Sequence, residues 1–281
     1  MKINLPQFKQ LLKQSHCLDI SRYDESFLGN SIKKRIQETR CDSFEDYCDY
    51  LEHTHEEGKT FCQSLHVHYS EFFRDPLTFA LLERLIIPEL IQKKTTNPQK
   101  EIRIWSAGCA AGQEAYSMAI LLEEMITSIN PGLKYRIFAT DLDENVLAVA
   151  RTGCYSADAL KNVGLQRAET WFTRQGENYV VQPAIQQRID FSIFDLLAEE
   201  RSCPPASIYG EFDLVFCCNL LIYYQPPYRK LILEKFARCL ARDAYLVTGE
   251  AERVIALAHH YREVYPSAAI LRVNPRKEKP V

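Results

Sequence analysis

No stretch of this sequence stays apolar for the roughly 20 residues that a membrane-spanning helix needs; even Ala115 to Ile129 is interrupted by Glu123 and Glu124. A transmembrane role is thereby excluded. The start, Met1-Lys2-Ile3-Asn4-Leu5, is followed by polar residues and has neither an apolar h-region nor a cleavage site, so the expected location is the cytoplasm. Cys-x-x-Cys spacing is also lacking among the 10 cysteines. In a reducing compartment they are expected as free thiols, with Cys217 and Cys218 packing inside an apolar run. No internal repeat or low-complexity tail is visible. An excess of one charge is missing too: Lys and Arg number 34 against 37 Asp and Glu, for a net charge of -3. Nothing in that balance favours nucleic acid or an anionic membrane, and any basic face must be local.

What is present is an ordinary globular composition, 46% hydrophobic and 25% charged over 281 residues, enough for one large core or two domains. Up to about Leu90 the apolar residues recur at helical spacing, as with Phe8, Leu11 and Leu12, and Ser43 opens a further amphipathic stretch at Phe44. The polar, proline-containing run from Lys93 to Lys100 reads as a linker. The expected organisation is a helical N-terminal domain over 1–92, a linker over 93–100 and a second domain over 101–281. In that second domain short apolar strands alternate with helices: Ile102 to Ala107, Ala115 to Glu124, Tyr135 to Thr140, Glu144 to Arg151, Phe212 to Cys217, Tyr228 to Ala241 and Tyr245 to Val247. Parallel neighbours need crossovers, so this pattern predicts an α/β, doubly wound, Rossmann-like sheet. The alternation lapses over about 155–190, where Glu177 to Val181 and Ile189 to Phe191 suggest a small antiparallel insert.

In such a sheet ligands bind beyond the carboxyl ends of the strands, which directs attention to the turn from Ser106 to Gln113. Gly108 and Gly112 let backbone approach a ligand, and the helix starting near Glu114 turns free N–H groups towards it. The dinucleotide fingerprint requires Gly-x-Gly-x-x-Gly, whereas this turn is Gly-x-x-x-Gly followed by an acidic residue where phosphates would sit. An acidic group suits a cation, and S-adenosylmethionine, with its ammonium and sulfonium, is one; the competing reading is a tight structural turn. Asp141 ends the second strand, where a carboxylate accepts hydrogen bonds from ribose hydroxyls, while Asp143 reads as the cap of the next helix. Asp195 is a candidate for the adenine amino group, or a loop aspartate. Asn219 ends the most apolar strand, where methyl donor and acceptor would meet, and Tyr223 and Tyr224 add aromatic surface or core.

Five ordered segments together resemble the chemotaxis-receptor glutamate methyltransferase family, CheR. These are Tyr23 to Ile36 with Asp42 to Tyr47, then Glu71-Phe72-Phe73-Arg74-Asp75, Trp105 to Ser117, Phe138 to Asp143, and Phe216 to Tyr224. The resemblance runs nearly end to end. It implies a class I methyltransferase domain behind an all-α N-terminal domain, with S-adenosylmethionine as cofactor and S-adenosylhomocysteine as product. Carried over by position, the cofactor shell is His68, Ser70, Arg74, Glu114, Asp141, Asp195, Leu196, Asn219 and Leu220. Arg74, Asn219 and Tyr223 are the candidates facing the reaction. His68 stands where the family usually has asparagine, Ser70 where it has threonine, Gln113 where it has glutamate and Cys218 where it has arginine. Gly249-Glu250-Ala251-Glu252 replaces Gly-His-Ser-Glu. The implied substrate is a glutamate carboxylate, anionic at neutral pH with a reference pKa of about 4.3, so no general base is required. Lys33, Lys34, Arg35 and Arg40 are the implied basic face towards chemoreceptor helices. The insert resembles members that do not bind a receptor's C-terminal peptide, because the loop from Arg174 to Asn178 is short.

Three other readings compete. A non-catalytic sensor or scaffold follows if the changes at Cys218 and Glu250 remove turnover, and a methyltransferase for another carboxylate follows if they redirect it. An NAD-dependent dehydrogenase fails on glycine spacing and on Asp141, roughly 30 residues past Gly108 instead of about 20. Zinc at His53, His55, His66 and His68 lacks a completing cysteine or carboxylate, so no metal is expected.

Overall fold

The computed structural model describes residues 3–66, 69–96, 101–207, 209–266 and 268–274. The chain forms two compact units: Met1–Val67 with Leu220–Arg229, and His68–Asn219 with Lys230–Val281.

Among its described residues the first unit holds the α-helices Leu5–His16, Glu25–Thr39, Phe44–His53 and His55–Ser64. Their starts follow from capping chemistry. Asp24 accepts the N–H groups of Ser26 and Phe27, and the Ser43 hydroxyl accepts that of Asp46 at 3.0 Å. Their apolar stripes meet in a core where the Phe8 ring lies 5.0 Å from Phe61, 6.0 Å from Tyr47 and 6.1 Å from Phe44. Inside it the Glu57 carboxylate receives Arg35 Nε at 2.9 Å, Arg35 Nη2 at 2.6 Å and the Tyr47 hydroxyl at 2.7 Å. The segment Leu220–Arg229 belongs here: Asp24 N–H donates to Tyr223 O at 2.8 Å, Gln225 N–H to Arg22 O at 2.9 Å, and Tyr224 stacks on Tyr23.

Among its described residues the second unit is built on ten strands: β1 Glu101–Ala107, β2 Lys134–Asp141, β3 Cys154–Ser156, β4 Phe172–Gln175, β5 Asn178–Val181, β6 Ile189–Ile193, β7 Phe212–Cys217, β8 Leu240–Thr248, β9 Tyr261–Glu263 and β10 Ile270–Val273. Seven of them form one sheet in the order β6-β2-β1-β7-β8-β10-β9, parallel from β6 through β8 and antiparallel beyond. Strand alternation covers both faces. Ile102 and Ile104 join Leu214 and Phe216 in a core with the helix Gln113–Ile129, whereas Trp105 points to the opposite face, where its ring meets Phe194, Phe212 and Phe236 at 5.2 to 5.6 Å. The predicted doubly wound sheet is therefore what forms.

Three sequence expectations need correction. The run from Lys93 is no linker at its start: helix continues over Ile87–Thr95, and Leu82, Ile86, Ile87, Leu90 and Ile91 belong to the same buried core as β1. Apolar burial on the sheet outweighs the local polarity of Lys93 and Lys94. Lys94 is itself buried in an ion pair with Asp213 of β7 at 3.0 Å, and Asp213 also accepts Arg103 N–H at 2.9 Å. The rest of the expected linker, residues 97–100, lies outside the described residues. A π-turn at Leu82–Ile86 precedes Pro88, whose ring nitrogen has no hydrogen to give the preceding turn. Second, Ile189–Ile193 is not part of the insert but pairs parallel with β2; the insert is the three-stranded sheet β3-β5-β4. Third, the helix expected to reach Ala241 ends at Cys239, because Leu240 is captured opposite Phe212 at the start of β8.

Candidate active site

Strand order reverses between β1 and β7, so the crevice beyond their carboxyl ends is the switch point where such a sheet binds ligands. The β1 exit is fastened to its neighbour strand. Gly108 and Cys109 N–H both donate to Thr140 O, at 2.8 and 2.9 Å. Gly108, Ala110 and Gly112 are all left-handed, at φ of 74°, 47° and 89°. A side chain at Gly112 would have its Cβ 3.0 Å from that of Ala150 and 3.1 Å from the Phe191 ring, so only glycine fits. Asp141 braces this loop from below: its Oδ2 accepts Ala110 N–H at 2.9 Å and its Oδ1 accepts Asp143 N–H at 3.1 Å. Asp143 accepts Asn145 N–H at 2.8 Å and caps the next helix, as read from the sequence.

Glu114 stands in the first turn of the helix Gln113–Ile129 and accepts the Ser106 hydroxyl at 2.7 Å. Burial pushes its carboxyl up to about 7; the Ser106 and Cys218 donors pull the other way, the charge of Glu252 adds to the rise, and that of Arg74 opposes it. Burial likewise holds the Cys218 thiol well above its ordinary range, with Glu114 and Glu252 facing it. Glu252, fully buried, accepts Asn219 N–H at 2.6 Å and Gly249 N–H at 3.0 Å. Asn219 is left-handed at φ 58°. At this end of the sheet Gln113 Oε1, Asn219 Oδ1 and Thr248 Oγ1 are buried with no partner among the described residues.

The half-buried Glu114, the buried Glu252 and these unpartnered acceptor oxygens suit a cation that carries hydrogen-bond donors. They fit the ammonium and sulfonium of S-adenosylmethionine and repel a pyrophosphate. Gly108, Gly112, Glu114, Asp141 and Asn219 thus gather as expected at the ends of β1, β2 and β7. Asp195 follows β6; Phe194 N–H donates to Asp141 O at 3.0 Å, tying the two strand ends together, and Asp195 Oδ1 accepts Leu197 N–H at 2.9 Å. Leu196 is buried beside it. Lys235 holds the same loop by donating to Ala198 O at 2.6 Å and Arg201 O at 3.0 Å. Arg74 donates to Tyr69 O at 3.4 Å with its guanidinium over the Tyr69 ring, and Ser70 is half-buried in the same segment. His68 lies outside the described residues.

Leu220, which follows Asn219 directly in the chain, and Tyr223 group with the helical unit, where the Tyr223 ring sits 4.8 Å from Phe27. Of the basic face, Lys33, Lys34 and Arg40 are exposed, but Arg35 is not available to a partner: its guanidinium is spent inward on Glu57 and on Glu38 at 2.6 Å. No group of three His, Cys, Asp or Glu side chains suited to a metal exists among the described residues. Sequence reasoning missed Ser106, Thr248 and above all Glu252, although Gly249 to Glu252 keeps the glutamate of the family's Gly-His-Ser-Glu.

Comparison with known proteins identifies the family. Residues 68–269 match the CheR methyltransferase SAM-binding domain and residues 3–65 the CheR methyltransferase all-alpha domain. The chemotaxis protein methyltransferase Cher2 of Pseudomonas putida is 35% identical over 204 residues, 71% of each chain. Chemotaxis protein methyltransferase 1 of Pseudomonas aeruginosa is 34% identical over the same share of both. The chemotaxis protein methyltransferase of Borreliella burgdorferi is 27% identical over 90% of this chain and 89% of its own.

Proposed function

This chain belongs to the CheR methyltransferase family, and we propose that it methylates glutamate side-chain carboxylates of chemoreceptors. When bound, S-adenosylmethionine supplies an electrophilic methyl group on a sulfonium cation. The protein's part is placement and charge. Asp141 holds the β1 loop through Ala110 N–H and offers its carboxylate to ribose hydroxyls. Glu114 and the acceptor oxygen of Asn219 face a cationic amino-acid end. A glutamate acceptor arrives already ionised, and its reactivity rises as the crevice strips water from it, so positioning supplies most of the acceleration.

The observation that carries this reading is Glu114: a half-buried carboxyl beside the glycine loop, hydrogen-bonded to Ser106 and pushed up to about 7, is an incomplete charge arrangement that a cationic cofactor completes. Exposed Lys33, Lys34 and Arg40 on and after the helix Glu25–Thr39 support an acidic partner such as a receptor helix bundle. The non-catalytic sensor draws no support from Cys218, whose thiol faces Glu114 and Glu252. The test is labelled-methyl transfer to membranes of the host. Base-labile methyl esters should appear on receptors with the natural protein and vanish with Asp141→Ala. Cofactor binding without any ester would overturn the enzyme assignment.

A further inference from the structure

We propose that Glu252 is a positioning residue, acting through the backbone of Asn219 to hold that side chain in the cofactor crevice. This rests on the methyltransferase reading above. The strand β7 ends at Cys217, and two residues later Asn219 turns into the left-handed region, which asparagine enters more readily than most residues that carry a side chain. Glu252 fixes that turn. From the helix Glu250–Leu257 its Oε2 reaches both Asn219 N–H and Gly249 N–H, at 2.6 and 3.0 Å, so one carboxylate oxygen joins the exits of β7 and β8. The space is closed on the remaining side, since a Cβ at Gly249 would lie 3.0 Å from Asn219 Nδ2 and 3.0 Å from Glu252 Oε2.

Held this way, Asn219 keeps its Oδ1 buried with no partner among the described residues. A buried amide oxygen is costly to leave unpaired, and a loop free to turn would carry it to water or to a neighbouring N–H. The backbone clamp keeps the oxygen directed where a donor on the ligand completes it. Glu252 therefore contributes to cofactor affinity by preventing that escape, and its burial next to Glu114 adds negative charge to a site for a cation.

The test is calorimetric titration of the intact protein with S-adenosylhomocysteine, with Glu252→Ala and Glu252→Gln each made in the natural and the Asn219→Ala backgrounds. In the natural background Glu252→Ala should weaken binding by about tenfold or more, and Glu252→Gln, which keeps an acceptor oxygen, by less. In the Asn219→Ala background the same changes should cost less than about twofold, because the side chain they position is gone. Equal losses in both backgrounds, or no loss in either, would overturn the proposal. Should Glu252→Ala fail to fold, the glutamine variant gives the same comparison. Natural protein that binds S-adenosylhomocysteine but labels no receptor would defeat the proposed function while leaving this inference standing.

Discussion

At the scale of single residues, Glu114 sets the chemistry's dependence on pH. Its carboxyl is raised from an ordinary 4.5 to about 7, so below 7 it is mainly neutral, and a cationic cofactor must drive off the proton to gain the charge. Affinity for S-adenosylmethionine should therefore fall by up to about tenfold for each pH unit below 7, with proton release visible in buffers of different ionisation heat; Glu114→Gln should flatten the profile. For unliganded protein the sign is opposite. The unfolded chain ionises this group near 4.5 and the folded one near 7, so stability drops as pH rises through that window. Melting curves between pH 4.5 and 7.5 should show less of this drop in Glu114→Gln. The positions of Glu114 and Asp141 are legible in the sequence because a strand end and a helix start follow from apolar periodicity alone. Glu252 is not, since its partner Asn219 is 33 residues away in the chain and only strand order brings them together.

At the scale of elements, the β1 loop is the most constrained piece. Gly112 combines φ 89° with Ala150 and Phe191 at contact distance behind it. Gly112→Ala should destabilise the protein by about 1–3 kcal/mol, read from denaturant midpoints, and weaken cofactor binding further than the stability loss explains. The helix Glu25–Thr39 shows the limit of reading charge from sequence. Lys33, Lys34, Arg35 and Arg40 look equivalent in a row, yet helical rotation places Arg35 against the buried Glu57. Arg35→Ala should accordingly cost roughly 3 kcal/mol by leaving Glu57 buried without its cation, whereas Lys33→Ala should cost almost none. Urea unfolding of the two variants separates them.

At the scale of the whole molecule, a net charge of -3 conceals a local exposed basic group at Lys33, Lys34 and Arg40. If receptors are met through it, raising salt from about 50 to 300 mM should slow methylation of receptor membranes several-fold while cofactor affinity barely changes, because exposed charges are screened and buried ones much less. Equal sensitivity of both would remove the electrostatic docking. The alternation of strands and helices made the doubly wound sheet readable, but the division of the chain was misplaced, because polarity at Lys93 and Lys94 looks the same whether a lysine is solvated or paired. The pair between Lys94 and Asp213 has a practical consequence for anyone cutting this protein in two. A fragment begun at Glu101, where the sheet starts, would strand a carboxylate inside its own central strand and bare the apolar surface that Ile87, Leu90 and Ile91 cover. It should precipitate on expression, so the scissors belong ahead of Tyr69, well upstream of the first strand.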